Sequence, residues 1–195
     1  MTKKKSSNLM NYAGTFGALV ILCVVLAIAS PNFFKYSNMM SILKQTSFNA
    51  LVSTGMLLCL ITAGIDLSVG ANATFAACLA GMLMNKGMTN PAVLLIVAIV
   101  GGTLIGWVNG MLLTRLHLPH PFVSTLGMKN VLWGGALIVT NSQMVSFSGN
   151  DAVMWLGSKT FGGFPVSFIV VIAIYIVMHI LLTKTALGRS IYCVG

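Results

Sequence analysis

Only two carboxylates occur in the 195 residues, Asp66 and Asp151, and any acid–base or ion-handling chemistry must start from them. Asp66 stands in Gly64-Ile65-Asp66-Leu67-Ser68-Val69-Gly70, an acid and a hydroxyl between glycines within an apolar stretch. An ionised carboxylate at the centre of a bilayer costs about 3 kcal/mol on insertion scales, so a charge here must be sheltered, shallow or functional. Gly64 and Gly70 loosen the backbone, and Ser68 is placed to cap freed N–H groups. Asp66, just before a helix start, meets the positive end of that helix's dipole. Two readings stay open: a cap at a tight turn, or a group on a substrate path or gate. His117, His120 and His179 show no ligand spacing, and Cys23, Cys59, Cys78 and Cys193 show no metal or disulfide pattern. No metal and no cofactor are expected.

The elements that must position these groups are apolar helices. Hydrophobic residues make up 57% and charged residues only 7%, against about 25% charged in soluble domains. Mean hydropathy is +0.94. A chain with so little charge cannot clothe itself in a hydrated shell, so the expected fold class is an all-α polytopic membrane protein. The net charge of +9 suggests nucleic acid at first sight. Its cations are instead scattered over short connections, as expected beside anionic lipid, and a nucleic-acid partner is not expected.

Apolar runs predict about six transmembrane helices over 13–30, 48–65, 67–85, 92–113, 122–139 and 165–183. The first follows Lys3, Lys4 and Lys5 and exceeds the core of a cleavable signal, so it is read as a retained helix. Pro31, Pro91, Pro119, Pro121 and Pro165 all fall near run ends, where a missing N–H matters least. With both termini cytoplasmic, the inner segments carry Lys3, Lys4, Lys5, Arg115, Lys184 and Arg189, and the outer ones Lys35, Lys44, Lys86 and Lys159. That bias has the positive-inside sign. Asp151, in the outer stretch 140–164, then lies across the membrane from Asp66, which argues against a catalytic aspartyl pair. Lys129 falls inside the fifth run; the reading preferred here starts that helix later, because Leu118-Pro119-His120-Pro121 is a poor beginning for a regular helix. Gly102, Gly106 and Gly110, like Ala73, Ala77 and Gly81, repeat at helix-packing spacing, which suits generic close packing or a pore wall or dimer seam.

From residues alone this is a multi-span, transporter-like chain. The heptapeptide around Asp66 further resembles the signature of the ribose/galactoside-type permeases of bacterial ABC sugar importers. Other blocks agree in order: Pro31-Asn32-Phe33-Phe34 with Asn38, Ile42, Leu43 and Gln45; Gly106-Trp107-Val108-Asn109-Gly110; Pro121-Phe122-Val123-Ser124-Thr125-Leu126-Gly127-Met128 with Trp133-Gly134-Gly135; and Gly188-Arg189-Ser190-Ile191-Tyr192-Cys193-Val194-Gly195. The resemblance implies a permease of the bacterial inner membrane for a monosaccharide of the ribose, galactose, xylose or allose class. It implies a second permease copy, a cytoplasmic ABC ATPase and a periplasmic or lipid-anchored sugar-binding protein as partners. Asp66, Ser68, Asn72 and Asn109 become candidates for the translocation path or gate, with Asn49, Thr74 and Trp107 as further sugar contacts. Lys184, Gly188 and Arg189 become candidates for the loop that meets the ATPase. No Gly-rich phosphate loop ending in Lys-Ser/Thr is present, so ATP hydrolysis is expected on a separate subunit and not on this chain. Family members are longer, so 1–195 is expected to be the N-terminal part of one transmembrane domain with further helices missing. An ion- or proton-coupled secondary carrier is the alternative, since it too places a carboxylate in the membrane.

Overall fold

A computed structural model describes residues 4–115 and 121–195, with side chains from residue 13 onward. The chain forms α1 (Lys4–Ala29), α2 (Tyr36–Ile61), α3 (Val69–Asn85), α4 (Pro91–Arg115), α5 (Pro121–Thr140), α6 (Asp151–Ser158), the strands β1 (Thr160–Phe161) and β2 (Phe164–Pro165), α7 (Val166–Lys184) and α8 (Ala186–Val194). β1 and β2 pair antiparallel, Thr160 opposite Pro165 and Phe161 opposite Phe164.

The chain divides into two compact units, residues 1–43 and 44–195, with the boundary inside α2. In the first, α1 ends at a turn in which Phe33 N–H bonds Ser30 O and Lys35 N–H bonds Asn32 O. Asn38 Nδ2 donates back to Phe33 O at 2.7 Å, and the Phe33 and Phe34 rings meet edge to face. In the second unit, α3 is central and packs against α4 and α5, while α7 packs against α6 and α8.

Six helices occupy the six expected runs, with two corrections that bear on function. α2 begins at Tyr36, twelve residues before the apolar run, and stops at Ile61. Its first turns are polar (Ser37, Asn38, Ser41, Gln45, Thr46, Ser47), so hydropathy misses them. Yet hydroxyls such as Ser41 Oγ, which bonds Ser37 O, sit comfortably on helix backbone. α5 starts at Pro121 and not later, because a proline at the first helical position gives up an N–H that had no intrahelical partner anyway. Lys129 is therefore an exposed position on the third turn of a regular helix. Residues 116–120, with Pro119, His117 and His120, lie outside the described residues.

Helix ends are set by local chemistry. Asn90 precedes Pro91, and its Oδ1 accepts from Ala92 N–H at 3.0 Å, starting α4. Three helices close with a residue in the left-handed region and a bond from the following N–H back over five residues. Gly87 ends α3 (φ 95°, Met88 N–H to Leu83 O), Asn141 ends α5 (φ 51°, Ser142 N–H to Leu137 O), and Ala63 ends α2 (φ 57°, Gly64 N–H to Cys59 O). The stretch 140–164, read as a loop, holds α6 and the β-hairpin.

Burial is inverted relative to a water-soluble domain. Among the described residues the buried apolar set is small (Ala71, Ala76, Ala80, Leu94, Leu132, Val166, Val171 and Leu182), and Ser47, Thr54, Ser68, Asn109, Thr125 and Asn150 are buried beside them. Large apolar side chains such as Ile28, Ile99, Val131, Ile138 and Val177 point outward. Helices that meet through small and polar residues and expose their large apolar ones are built for lipid. Three helices, α4, α5 and α7, are long and apolar enough to cross a membrane, and Ala13–Ala29 and Val69–Asn85 are shorter apolar helices. The chain is an all-α, multi-pass membrane protein.

Candidate functional site

The turn between α2 and α3 gathers the polar groups. α2 cannot continue past Ala63, whose left-handed backbone turns the chain, and residues 64–66, in no regular element, lead through a turn at 67–68 into α3. Asp66 Oδ1 accepts two bonds, from Ser68 N–H and from Ser68 Oγ, both at 2.7 Å. A carboxylate that binds the amide two residues on makes an Asx turn, which aims the chain into the following helix. The sequence reading of Ser68 as a side-chain cap is thus corrected. Ser68 holds the N-cap position, but its hydroxyl makes no capping bond. The nearby carboxylate is a stronger acceptor for its proton than any cap geometry offers as a partner.

Asn109 of α4 completes the group. Its Nδ2 donates to Ser68 Oγ at 2.8 Å, across 41 residues of sequence. Ser68 has one hydroxyl proton, given to Asp66, so it can only accept from Asn109, and the chain of donation runs Asn109 to Ser68 to Asp66. Ser68 is 0% exposed and Asn109 7%. The other end of that amide, Asn109 Oδ1, is buried and has no hydrogen-bond partner. One turn further along α3, Asn72 Nδ2 donates to Gly102 O at 3.0 Å, and its Oδ1 is likewise unpartnered. A Cβ at Gly102 would lie in ordinary van der Waals contact with Asn72 Oδ1 and Ala76 Cβ. α3 and α4 are therefore joined antiparallel by two polar bonds, Ser68–Asn109 and Asn72–Gly102. Gly106 and Gly110 face open space and not a neighbouring helix.

α5 closes the third side. Thr125, buried at 5%, places Oγ1 at 3.3 Å from both Ile65 O and Phe122 O, and Ser124 Oγ bonds Pro121 O at 3.0 Å. Between the ends of α2 and α4 and the starts of α3 and α5 lies a cavity of about 160 Å³, bordered by Asp66, Asn109, Thr62, Ser124 and Thr125. Thr125 and Ser124 escaped the reading of single residues, because hydroxyls in an apolar run look like helix filler.

The remaining candidates are dispersed. Asn49 is exposed on α2, Trp107 is 61% exposed on α4, and Thr74 bonds its own helix at Gly70 O. Thr74 instead borders a groove of about 300 Å³ with Trp133, Gln143 and Phe147. Asp151 is exposed in the first turn of α6, and Asn150 beside it bonds Thr89 O, beyond the far end of α3 from Asp66. The 17 residues of α3 span about 25 Å, so the two acids lie at opposite ends of the bundle. Among the described residues no group of His, Cys, Asp or Glu could hold a metal by clustering.

Lys184 ends α7 and Gly188 and Arg189 lie on α8, which is a capped helix where a loop was expected. Thr185 Oγ1 accepts from Gly188 N–H at 3.1 Å while donating to Leu181 O at 2.6 Å. Gly188 is buried, and any Cβ there would strike the carbonyls of Leu181 and Leu182, so only glycine lets α8 fold back over the end of α7. Arg189 is exposed.

Residues 38–195 match the family described as branched-chain amino acid transport system / permease component. The chain is 33% identical over 188 residues to the ribose import permease protein of Bacillus subtilis, covering 95% of this chain and 58% of that protein. It is 33% identical over 181 residues to the ribose import permease protein of Escherichia coli, covering 91% and 56%. It is 31% identical over 202 residues to the D-allose transport system permease protein of Escherichia coli, covering 100% and 60%. The chain thus spans somewhat over half the length of these curated relatives. No solved structure matches it.

Proposed function

The chain belongs to the branched-chain amino acid transport system / permease component family, and on that premise we propose that it is the membrane-spanning part of an ABC importer for a monosaccharide. The observation that carries the choice of cargo is the set of relatives named for ribose and D-allose. The chemistry of the buried groups agrees. A zwitterionic amino acid needs an anionic and a cationic partner along its path, whereas among the described residues Asp66 is joined by hydroxyls and amides, Ser68, Asn109 and Thr125, and by no lysine or arginine, a set that suits a polyol better. Transport of a branched-chain amino acid is the second reading, favoured by the family's description.

In this proposal α1, α2, α3, α4, α5 and α7 make six crossings of a bacterial inner membrane, with both termini cytoplasmic. Residues 1–195 are then the N-terminal part of one transmembrane domain. The end bearing Asp66, Arg115, Lys184 and Arg189 faces the cytoplasm. Asp66, Ser68, Asn72 and Asn109 border the translocation path or its inner gate, the unpartnered oxygen of Asn72 supplying an acceptor for sugar hydroxyls. Lys184 and Arg189 lie on the surface that meets a cytoplasmic ATPase, and the buried Gly188 lets α8 fold back to present it. A second permease copy and an extracytoplasmic sugar-binding protein complete the importer. ATP is hydrolysed on the ATPase, so transport is insensitive to the proton gradient.

Uptake of radiolabelled ribose, allose, galactose, xylose and leucine by cells with and without this chain tests the proposal. Loss of one sugar's uptake, unaffected by an uncoupler while ATP is maintained, is the expected result. Loss of leucine uptake alone would favour the second reading, and abolition by the uncoupler would favour a secondary carrier. Asp66→Asn should lower sugar uptake at unchanged membrane levels if Asp66 gates the path; equal uptake by the two forms leaves it a turn residue only. Arg189→Glu should lower uptake and ATPase co-purification together.

A further inference from the structure

The cavity beneath the α2–α3 turn has a lining whose hydrogen-bond polarity is one-sided. Each hydroxyl around it has a backbone or carboxylate acceptor for its single proton. Thr62 Oγ1 bonds Cys59 O at 3.0 Å, Ser124 Oγ bonds Pro121 O at 3.0 Å, Thr125 Oγ1 reaches Ile65 O at 3.3 Å, and Ser68 Oγ bonds Asp66 at 2.7 Å. One of the two amide protons of Asn109 goes to Ser68 Oγ. What these side chains can offer the cavity is lone pairs, together with the orphaned Asn109 Oδ1 and a carboxylate whose Oδ2 makes no hydrogen bond among the described residues. Among the described residues no lysine or arginine borders the cavity. The helix dipoles do not change the sign, since two C-terminal ends (α2 and α4) and two N-terminal ends (α3 and α5) meet there. Among the described residues that border the cavity, Asp66 is the one with a formal charge.

A buried acceptor without a donor is destabilising, and a pocket rich in oxygen acceptors and bordered by a carboxylate is relieved by a cation. We propose that this cavity binds a monovalent alkali cation, of the sodium or potassium class, which joins Asp66 and Asn109 and fixes the α2–α3 turn against α4 and α5. Hard oxygens from a carboxylate, an amide and hydroxyls suit such an ion, whereas zinc and other transition metals select imidazole and thiolate. Its volume of about 160 Å³ leaves room for the ion with water. A cluster of His, Cys, Asp or Glu is not needed for this chemistry, so ligand-spacing patterns give no sign of it. The cation is a static brace and is independent of which solute the protein carries.

The test is thermal unfolding of the chain purified in detergent, in sodium, potassium, lithium and choline chloride at equal ionic strength. Sodium or potassium should raise the midpoint saturably by on the order of 3–8 °C over choline. Asp66→Asn, which keeps an acceptor for Ser68 but removes the charge, should abolish that difference, and so should Asn109→Leu. Identical midpoints in all four salts would mean that water alone fills the cavity and would overturn the proposal. A sodium effect of the same size in Asp66→Asn would overturn it as well, because the ion would then act elsewhere. If neither variant folds, the wild-type salt series alone decides between ion and water.

Discussion

Two buried asparagines brace opposite ends of the same bundle, and they differ in what they leave unmade. Asn150 uses both ends of its amide. Its Nδ2 donates to Thr89 O at 2.7 Å, and its Oδ1 accepts from Val153 N–H at 3.2 Å, so one side chain starts α6 and ties it to the approach of α4. Asn109 uses only its nitrogen, on Ser68, and buries a free carbonyl. Exposures are nearly equal, 6% and 7%. Burial therefore does not separate them, but hydrogen-bond completeness does. A satisfied buried amide needs no ligand to explain it. A half-satisfied one beside a carboxylate marks where a further group belongs.

The sharpest break of that contrast is Asn150→Leu, which strands Thr89 O and Val153 N–H together. A loss of about 3 kcal/mol is expected, a fall of roughly 6–12 °C in the detergent melting midpoint. A change under about 1 kcal/mol would mean that water replaces both bonds and that Asn150 is no staple. Next comes Asp66→Ala, expected to cost about 2 kcal/mol by the same measurement. It strands Ser68 N–H, while the Ser68 hydroxyl regains a partner if the Asn109 amide flips to offer its oxygen. Asn109→Leu, measured in choline chloride, should cost under about 1 kcal/mol, because the lost bond to Ser68 is offset by removal of an unpaired carbonyl. A cost equal to that of Asn150→Leu would erase the difference between the two ends.

The smallest effect expected is a gain. Both bundle ends close a helix with a left-handed residue, Asn141 for α5 and Ala63 for α2. Asparagine tolerates that region and alanine does not, so Ala63→Gly should stabilise by about 0.5 kcal/mol net of glycine's entropy cost, read as a slight rise in the midpoint. Destabilisation would show that the Ala63 methyl packs against something that outweighs its strain.

Much of this was legible in the sequence. Composition required lipid as solvent, and hydropathy located α1, α3, α4, α5 and α7 to within a few residues of where they lie apart from the N-terminal extension of α1. It misplaced the start of α2 because its first turns are polar, and the expectation drawn from the prolines, not hydropathy, delayed α5, which begins at Pro121. The heptapeptide around Asp66 drew attention to Asp66 and Ser68, and the Gly106–Gly110 block to Asn109, which the structure brings together, though without Ser68 as a side-chain cap. Gly188 was noticed only as part of a block, without the close approach that requires it.

What the sequence by itself determined is the solvent, the helices and the family, since each follows from local hydropathy and from short motifs read in order. What only the tertiary structure decided is which polar groups meet. Asn109 reaches Ser68 across 41 residues, Thr125 approaches Ile65 across 60, and Asn150 reaches Thr89 across 61. Such pairings depend on how helices cross and rotate, which hydropathy does not encode. A buried amide with one end unpaired exists only once those helices have packed.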